Sequence, residues 1–288
     1  MIRCHYPFYP KTTNGKAPIP LPCGRCAYCK KRRVSSWVFR LLEEEKISSS
    51  SYFVTLTYHN RHVPITKKGY LTLVKKDWQN FMKRLRKTQK EKIKYYAVGE
   101  YGTKNNRPHY HAIIYNLRDA ETLAKSWQAI EPHSGKKSQI GSIYIGTVTG
   151  NSIAYTTKYI DKPKRIPLHK NDDRLREFSV MSKNLGKNYL TPSIIKYHKA
   201  DLSRMYVTML SGRKIAMPKY YRDKIFTDYE KEIQRDMIKD IELDERDALH
   251  KKYFELYGKN NTFKFYDYLE ALKNGEHNTF YHEQKQRK

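Results

Sequence analysis

Two histidines in one predicted strand are the residues of this sequence best suited to metal chemistry. His109 and His111 lie in residues 107–115, a run whose composition is typical of a β-strand. Side chains alternate between the two faces of a strand, so both imidazoles point to the same face. Because imidazole is a common metal ligand, the pair predicts part of a metal site. A purely structural histidine pair is the alternative.

A carboxylate is expected beside these histidines. Residues 93–101 form a second predicted strand, and a polar loop of residues 102–107 joins the two. In a hairpin centred on that loop, Glu100 stands opposite His109 and shares the face of both histidines. Two histidines and one carboxylate leave open positions on a metal, where a substrate oxygen can bind. The set suits Mg2+ or Mn2+, although the affinity order of divalent metals alone favours Zn2+.

Two tyrosines one helical turn apart are candidate nucleophiles. Residues 151–163 are predicted to form a helix with Tyr155 and Tyr159 at positions i and i+4, and Lys158 borders the same face. Tyrosine is a weak nucleophile at its ordinary pKa of about 10, but a metal on a phosphate oxygen would polarise the phosphorus. The tyrosine oxygen could then displace the 3′-oxygen of a DNA strand and remain as a 5′-phosphotyrosine. Lys158 would lower the tyrosine pKa or hold the phosphate.

Neither tyrosine is specific evidence by itself, since the chain has 25 tyrosines and such pairs commonly serve packing. The combination with the histidine pair is what favours chemistry. Two nucleophiles could alternate, one holding the DNA end while the other attacks the next junction, as continuous replication would require.

All four cysteines fall within the first 29 residues. Cys23, Cys26 and Cys29 follow a C-x2-C-x2-C pattern, and Cys4 precedes them. This spacing is typical of a metal knuckle, and four thiolates would complete a tetrahedral structural Zn2+ site. A ferredoxin-type iron–sulfur cluster would need its next cysteine at the position of Arg33. Four reduced, unliganded thiols are the remaining alternative.

The positive charge of the chain is concentrated in its first three quarters. The net charge is +28, from 57 basic and 29 acidic residues. Residues 219–288 hold 15 of each, which leaves 42 basic and 14 acidic side chains in residues 1–218. A folded region this basic expects a polyanion such as nucleic acid. The sequence has no long apolar run and no signal peptide, so we expect no membrane partner and a cytosolic location.

The hydrophobic patterns predict an α+β protein. Helices are expected over residues 27–46, 75–89, 118–129 and 151–163, strands over 52–58, 93–101, 107–115 and 140–148, and a hairpin over 205–217. Residues 163–203 are expected to be irregular and 222–257 to form one or two helices. The order predicts a mainly antiparallel sheet with helices on one face. We divide the chain into a Cys-rich segment with a basic helix (1–46), a catalytic domain (47–218) and a helical C-terminal region (219–288).

Three stretches resemble the motifs of rolling-circle replication initiators of the HUH endonuclease superfamily. They are residues 53–58 (FVTLTY), residues 107–111 (RPHYH) and residues 155–159 (YTTKY), the last in the two-tyrosine form. Residues 22–29, 99–102, 177–182 and 218–221 further resemble initiators of Microviridae phages of the gokushovirus type. The resemblance runs from about Cys4 to Arg222. Tyr110 departs mildly from it, because the superfamily name implies a bulky apolar residue between the histidines.

This resemblance implies an HUH-type antiparallel sheet with an RRM/ferredoxin-like core. It implies metal ligation by His109, His111 and Glu100, nucleophilic Tyr155 and Tyr159, and the motif lysine Lys158. Arg107 and Lys162 are expected to contact DNA. The implied activity is metal-dependent nicking of one strand at a phage origin in the host bacterial cytoplasm, followed by strand joining. Both single-stranded DNA and double-stranded origin DNA are expected partners, and a host helicase as well, since the sequence lacks a G-x-x-x-x-G-K-[ST] stretch.

Two other functions are compatible with the same residues. A transposase or relaxase of the superfamily would use the same chemistry on a different DNA end. A non-catalytic nucleic-acid-binding protein would use the Cys knuckle and the basic face without cleaving. Metal-dependent cleavage of DNA separates the second alternative from the initiator, and the structure of the DNA cleaved separates the first.

Overall fold

The computed structural model describes residues 4–11, 20–131, 135–158, 166–258 and 264–286. The chain divides into two compact units. One comprises Trp37–Tyr189, and the other combines Met1–Ser36 with Leu190–Lys288. The division into domains 1–46, 47–218 and 219–288 stays a prediction. Among the described residues, no helix combines the length and apolar character that crossing a membrane requires.

The described elements alternate between helices and strands. The strands are β1 (Ser51–Leu56), β2 (Lys94–Tyr101), β3 (Pro108–Tyr115), β4 (Gln128–Ile130), β5 (Lys137–Gln139), β6 (Ile143–Thr147), β7 (Phe178–Met181), β8 (Tyr206–Thr208) and β9 (Lys214–Ala216). The helices are α1 (Ala27–Glu45), α2 (Lys75–Lys87), α3 (Glu121–Ser126), α4 (Gly150–Lys158), α5 (Pro192–Lys199), α6 (Lys219–Ile225), α7 (Asp228–Tyr257) and α8 (Phe265–Gln286). Short 3₁₀ turns cover Asn60–His62 and Lys187–Tyr189.

A five-stranded sheet forms the centre of the Trp37–Tyr189 unit. Its strand order is β6-β1-β3-β2-β7, and every neighbouring pair is antiparallel. The sequence β1-α2-β2-β3-α3-β6 with the order 6-1-3-2 is the ferredoxin-like βαββαβ pattern. The predicted α+β class, with an antiparallel sheet flanked by helices, is confirmed.

The expectation of irregular structure over residues 163–203 is wrong for part of that range. β7 pairs with β2 at the edge of the sheet, with Val98 opposite Ser179, and α5 begins after an N-cap at Thr191, whose side chain accepts from the amide of Ile194. A strand this short is stabilised by pairing with β2 rather than by its own sequence. Its residues are only partly buried, which weakens the alternating pattern.

One face of the sheet packs on α2, α3 and the loops around them. The apolar residues of α2 recur at helical spacing, and Trp78, Phe81 and Leu85 are at most 1% exposed. They pack in one cluster with the side chains of alternate strand residues, among them Val54 and Ile114. This cluster is the main core of the unit and holds the sheet rigid beneath its other face.

The opposite face is also covered by helices, so the prediction of helices on one face is wrong. Tyr96 and Tyr115 lie on this face with 0% exposure. The ring of Trp37 on α1 lies 4.8 Å from that of Tyr96, and the Tyr115 hydroxyl donates to the Leu41 carbonyl at 2.9 Å. Central strands buried on both faces are almost continuously apolar, which removes the alternation from which one-sided packing is predicted.

The second unit contains the remaining helices. The predicted hairpin is confirmed: β8 and β9 pair antiparallel, and the turn residue Gly212 has a φ of 77°, a conformation that glycine adopts freely. α7 begins with a capping box in which Thr227 and Glu230 bond each other's backbone amides. With α6, α7 and α8, the predicted helical C-terminal region is confirmed.

Candidate metal and nucleophile site

The β2–β3 hairpin brings the predicted ligands together. Glu100 is directly paired with His109 in the register of the two strands, as the sequence predicts. The loop between them is closed by a hydrogen bond from the Gly102 amide to the Arg107 carbonyl at 2.9 Å, and Asn106 adopts a φ of 46°. This tight connection sets the register, and the register places Glu100 on the histidine face.

Three side chains converge on one point of that face. The Oε1 atom of Glu100 lies 2.7 Å from Nε2 of His109 and 3.2 Å from Nε2 of His111. One ligand atom from each residue falls within 4.8 Å of the others. Glu100 and His111 are 2% and 5% exposed, and His109 is half-buried. The cluster is therefore open to solvent mainly on the side of His109.

The outer nitrogens of both imidazoles are held by hydrogen bonds. Nδ1 of His109 donates to the Arg107 carbonyl at 3.0 Å, because a carbonyl oxygen can only accept. Nδ1 of His111 lies 2.9 Å from the Thr55 hydroxyl. Metal-binding histidines are usually oriented by such outer bonds, which leave the other nitrogen for the ion.

This arrangement fits a divalent cation. With Nδ1 of His109 protonated, its Nε2 presents a lone pair to the Glu100 carboxylate at 2.7 Å. Two acceptors at that distance are stable only with a cation between them, either a proton or a metal ion. One carboxylate and two imidazoles are ligands that Mg2+, Mn2+ and Zn2+ accept.

Tyr155 lies against this cluster. Its ring centroid is 5.4 Å from that of His111, and the two rings cross at 78°. Phe53 completes an aromatic group, stacked on His111 at 5.7 Å and edge-on to Tyr155 at 6.1 Å. Tyr155 remains 38% exposed, so a large substrate can reach it.

The local sequence of α4 explains this placement. Thr149 and Ser152 bond each other's amides and begin the helix. Ile153, Thr156 and Thr157 are at most 1% exposed and pack inward. Tyr155 lies beside this buried stripe, where a helical side chain borders both the sheet and solvent.

The other predicted site residues stand differently. Tyr159 and Lys162 lie outside the described residues, and Lys158 is the last residue of α4, with its side chain outside the description. Arg107 is half-buried, and its guanidinium donates to the Tyr58 carbonyl. The described structure therefore joins Glu100, the two histidines and Tyr155.

Tyr110, between the two histidines, points to the other face of the sheet. It is 1% exposed, and its hydroxyl donates to the Val74 carbonyl at 2.8 Å and lies 2.8 Å from the Tyr58 hydroxyl. Burial raises the pKa of Tyr110 above its ordinary value. The position accepts a tyrosine because its one polar atom has partners within the core.

Two contributors to the site are not among the sequence-predicted residues. Phe53 and Thr55 line it from β1, next to β3. Their alternation predicts that they share a face, but only the pairing of β1 with β3 makes it the histidine face.

The four cysteines form a second cluster, in the other unit. The Sγ atoms of Cys4, Cys23, Cys26 and Cys29 all lie within 4.8 Å of one another. Cys26 and Cys29 are buried.

Comparison with known proteins places the chain in a family. Residues 51–164 match the family model of the phage replication-associated protein ORF2. Replication-associated protein ORF2 of Spiroplasma virus 4 is 30% identical over 231 residues, which cover 76% of this chain and 72% of that protein. The chain belongs to the family of phage replication-associated proteins.

Other relatives agree with this assignment. Replication-associated protein VP4 of Bdellovibrio phage phiMH2K is 26% identical over 228 residues, which cover 74% of this replication-associated protein and 70% of the relative. No solved structure matches the chain. The matched range 51–164 contains the whole Glu100, His109, His111 and Tyr155 group. The family assignment gives the protein a role in phage replication.

Proposed function

We propose that this protein initiates rolling-circle replication by nicking one DNA strand at the phage origin through a covalent tyrosine intermediate. The observation that carries the proposal is the contact between Tyr155 and His111, whose ring centroids lie 5.4 Å apart. A nucleophile beside a cluster of metal-ligand type is the arrangement that phosphodiester transfer requires. The replication role of the family and the net charge of +28 support DNA as the substrate.

The reaction is a transfer of the phosphodiester from DNA to tyrosine. The hydroxyl oxygen of Tyr155 forms a bond to phosphorus while the bond from phosphorus to the 3′-oxygen breaks. The tyrosine proton leaves to solvent, and the departing oxygen takes up a proton to become a 3′-hydroxyl. Bound by Glu100, His109 and His111, a Mg2+ or Mn2+ ion would polarise the phosphate and stabilise the transition-state charge.

The products explain the use of the covalent bond. The free 3′-hydroxyl can be extended, and the 5′ end stays on the protein. A later 3′-hydroxyl attacks the phosphotyrosine and restores the DNA backbone, so the bond energy is conserved. We assign Tyr159 the second nucleophile and Lys158 the stabilisation of the phosphate, following the superfamily motif at residues 155–159.

The remaining roles follow from this reaction. Arg107 and Lys162 would contact the DNA backbone, and a host helicase would open the duplex, since the sequence contains no G-x-x-x-x-G-K-[ST] stretch. The host bacterial cytoplasm is the compartment in which a phage origin is replicated.

A gel assay tests the proposal. Purified protein is incubated with single-stranded origin oligonucleotides labelled at the 5′ or the 3′ end, with Mn2+ or with EDTA, and run on a denaturing gel before and after protease treatment. We expect a metal-dependent, protease-sensitive shift of the 3′-labelled fragment alone, because that fragment carries the 5′-phosphotyrosine. Binding without any adduct would contradict the proposal and favour a non-catalytic DNA-binding protein. Cleavage restricted to a transposon-type stem-loop end would favour a transposase.

A further inference from the structure

The four cysteines are the strongest cluster of reactive groups outside the Tyr155 site. The chain contains no other cysteine. Cys23, Cys26 and Cys29 lie in the turn that leads into α1 and in its first turn, and Cys4 lies in the segment of residues 4–11. These elements belong to the unit that does not contain Tyr155. From their geometry we propose that they hold a structural Zn2+ ion.

The backbone is folded so that Cys4 meets the knuckle. Phe8 and Leu21 pair antiparallel through two hydrogen bonds of 2.8 Å. This pairing directs the chain back towards Cys23, whose amide donates to the sulfur of Cys4 at 3.1 Å. A distance of 19 residues in sequence is thereby closed to a direct contact.

Backbone amides surround the sulfur of Cys23. The amides of Arg25 and Cys26 both donate to it at 3.3 Å. Gly24 makes this tight turn possible with a φ of 69°, which other residues rarely adopt. Amide donors stabilise negative charge on sulfur, so the turn favours a thiolate, the form that binds metal.

The sulfur spacing fits a single tetrahedral ion. Bonds of about 2.3 Å from Zn2+ to sulfur place the four sulfurs of a tetrahedron about 3.8 Å apart. All four sulfurs lie within 4.8 Å of one another. A four-iron cluster would hold its cysteine sulfurs farther apart, because each one bonds a different iron.

The proposal also accounts for an unfavourable charge pattern. α1 begins with Lys30, Lys31, Arg32 and Arg33, and cations at a helix N-terminus oppose the helix dipole. A Zn2+ ion with four thiolates carries two net negative charges at this same terminus. Lys30 is 4% exposed, and Arg33 donates to the Gly24 carbonyl at 3.0 Å, so both are held next to the knuckle.

Metal analysis of the full-length protein tests the site. Zinc and iron are measured by mass spectrometry of the wild type, of Cys26→Ser/Cys29→Ser, and of His109→Ala/His111→Ala, which removes the other candidate ligands. We expect about one zinc ion per chain in the wild type and the histidine variant, and a loss of at least about tenfold in the cysteine variant. Iron in place of zinc, no metal in the wild type, or zinc lost only with the histidines would overturn the proposal.

A second measurement covers the case in which the cysteine variant does not fold. The wild-type protein is titrated with a mercurial reagent that displaces zinc from thiolates, and the released zinc is followed with a colorimetric chelator. Release in proportion to the four thiols modified supports the site. Four thiols that react without releasing zinc contradict it.

A different observation carries a second inference, which rests on the proposed function. Tyr144 is a large aromatic side chain that is 64% exposed on β6, an edge strand. It is paired with Thr55, which bonds His111, so its side chain lies on the face of the Tyr155 site. We propose that Tyr144 stacks on a base next to the cleaved phosphate.

Glycine at position 146 leaves room for this ring. A Cβ atom there would lie 3.2 Å from the Tyr144 ring and 3.5 Å from that of Phe53. Tyr144 therefore leans along the strand over Gly146, and its ring centroid lies 6.4 Å from that of Phe53. Because Phe53 also contacts Tyr155, one aromatic surface runs from the nucleophile to the exposed edge.

Binding measurements separate this inference from the nicking activity. An oligonucleotide that the wild type cleaves with Mn2+ is labelled with 2-aminopurine at successive positions and bound in EDTA. We expect Tyr144→Ala to bind about 5- to 100-fold more weakly and to lose quenching at one position, while Tyr144→Phe retains both. Tyr229→Ala, at a tyrosine that is 73% exposed on α7, is the matched control.

The outcomes are distinct. Equal binding and quenching by Tyr144→Ala and the wild type would overturn the stacking role while leaving the nicking proposal intact. If the wild type cleaves no oligonucleotide, the proposed function itself fails.

Discussion

The carboxylate of Glu100 and the imidazole of His109 face each other across the β2–β3 hairpin, with Oε1 and Nε2 2.7 Å apart. Both residues use backbone pairing to reach this position, so the contact does not depend on a flexible loop. A rigid sheet holds ligands more precisely than loops do. The predictions below start from this pair.

Replacing Glu100 with Gln should weaken metal binding. The change removes the negative charge but keeps the size and one acceptor oxygen, so we expect Mn2+ affinity to fall at least about tenfold, measured by calorimetric titration. Glu91→Gln, at an exposed carboxylate that accepts from the Ser49 hydroxyl, is the control and should bind like the wild type. Unchanged affinity in Glu100→Gln would remove this carboxylate from the ligand set.

Replacing Thr55 with Val should loosen His111. The variant keeps the shape and strand preference but loses the hydroxyl that lies 2.9 Å from Nδ1. Loss of such an outer bond typically lowers metal affinity about 10- to 100-fold. Thr57→Val is matched to it, because the Thr57 hydroxyl bonds only the Ser142 carbonyl among its described partners. Equal Mn2+ affinities of the two variants would argue against an orienting role for Thr55.

Replacing Tyr155 with Phe should reduce covalent adducts without unfolding the protein. The ring contacts with His111 and Phe53 remain, so the free energy of unfolding should change by no more than about 0.5 kcal/mol. Only the nucleophilic oxygen is lost, and a double variant with Tyr159→Phe should form no adduct in the gel assay. Adducts that persist in the double variant would contradict the tyrosine mechanism, and Tyr229→Phe should behave like the wild type.

Replacing Tyr110 with Phe should lower stability without changing metal affinity. The hydroxyl accepts from the Val74 amide at 3.2 Å, and its loss in the core should cost about 1–3 kcal/mol in urea unfolding. A large loss of Mn2+ affinity would show that the two faces of the sheet are coupled more strongly than their alternation implies.

Stability should also fall at alkaline pH. Burial holds the pKa of Tyr110 and of Tyr58 above the ordinary value, so the unfolded chain releases these protons first. The stabilisation is complete below about pH 10 and is lost as pH rises through the folded pKa, at up to about 1.4 kcal/mol per pH unit for each group. Urea unfolding of the wild type across this range should show the decline, and Tyr110→Phe should show a shallower one. An equal slope in both would contradict the assignment.

Much of the site could be predicted without coordinates. Hairpin register depends on residues close in sequence, so the pairing of Glu100 with His109 followed from the position of the loop. The amphipathic helix at Lys75–Lys87 followed from its apolar spacing for the same reason. The four cysteines were grouped by their number and spacing.

Long-range contacts were not accessible in this way. β7 is defined by its pairing with β2, and α1 covers a sheet face that the sequence pattern left open. The contributions of Phe53 and Thr55 depend on β1 lying beside β3, although about fifty residues separate those strands in the chain.

The sequence by itself determined the reactive groups, the strand alternation that puts His109 and His111 on one face, and the short hairpin that adds Glu100. Periodicity and turn chemistry are local, so they are written in consecutive residues. Only the tertiary structure decided that α4 packs on that face with Tyr155 5.4 Å from His111, because the packing of a helix on a distant strand depends on the shape of both buried surfaces.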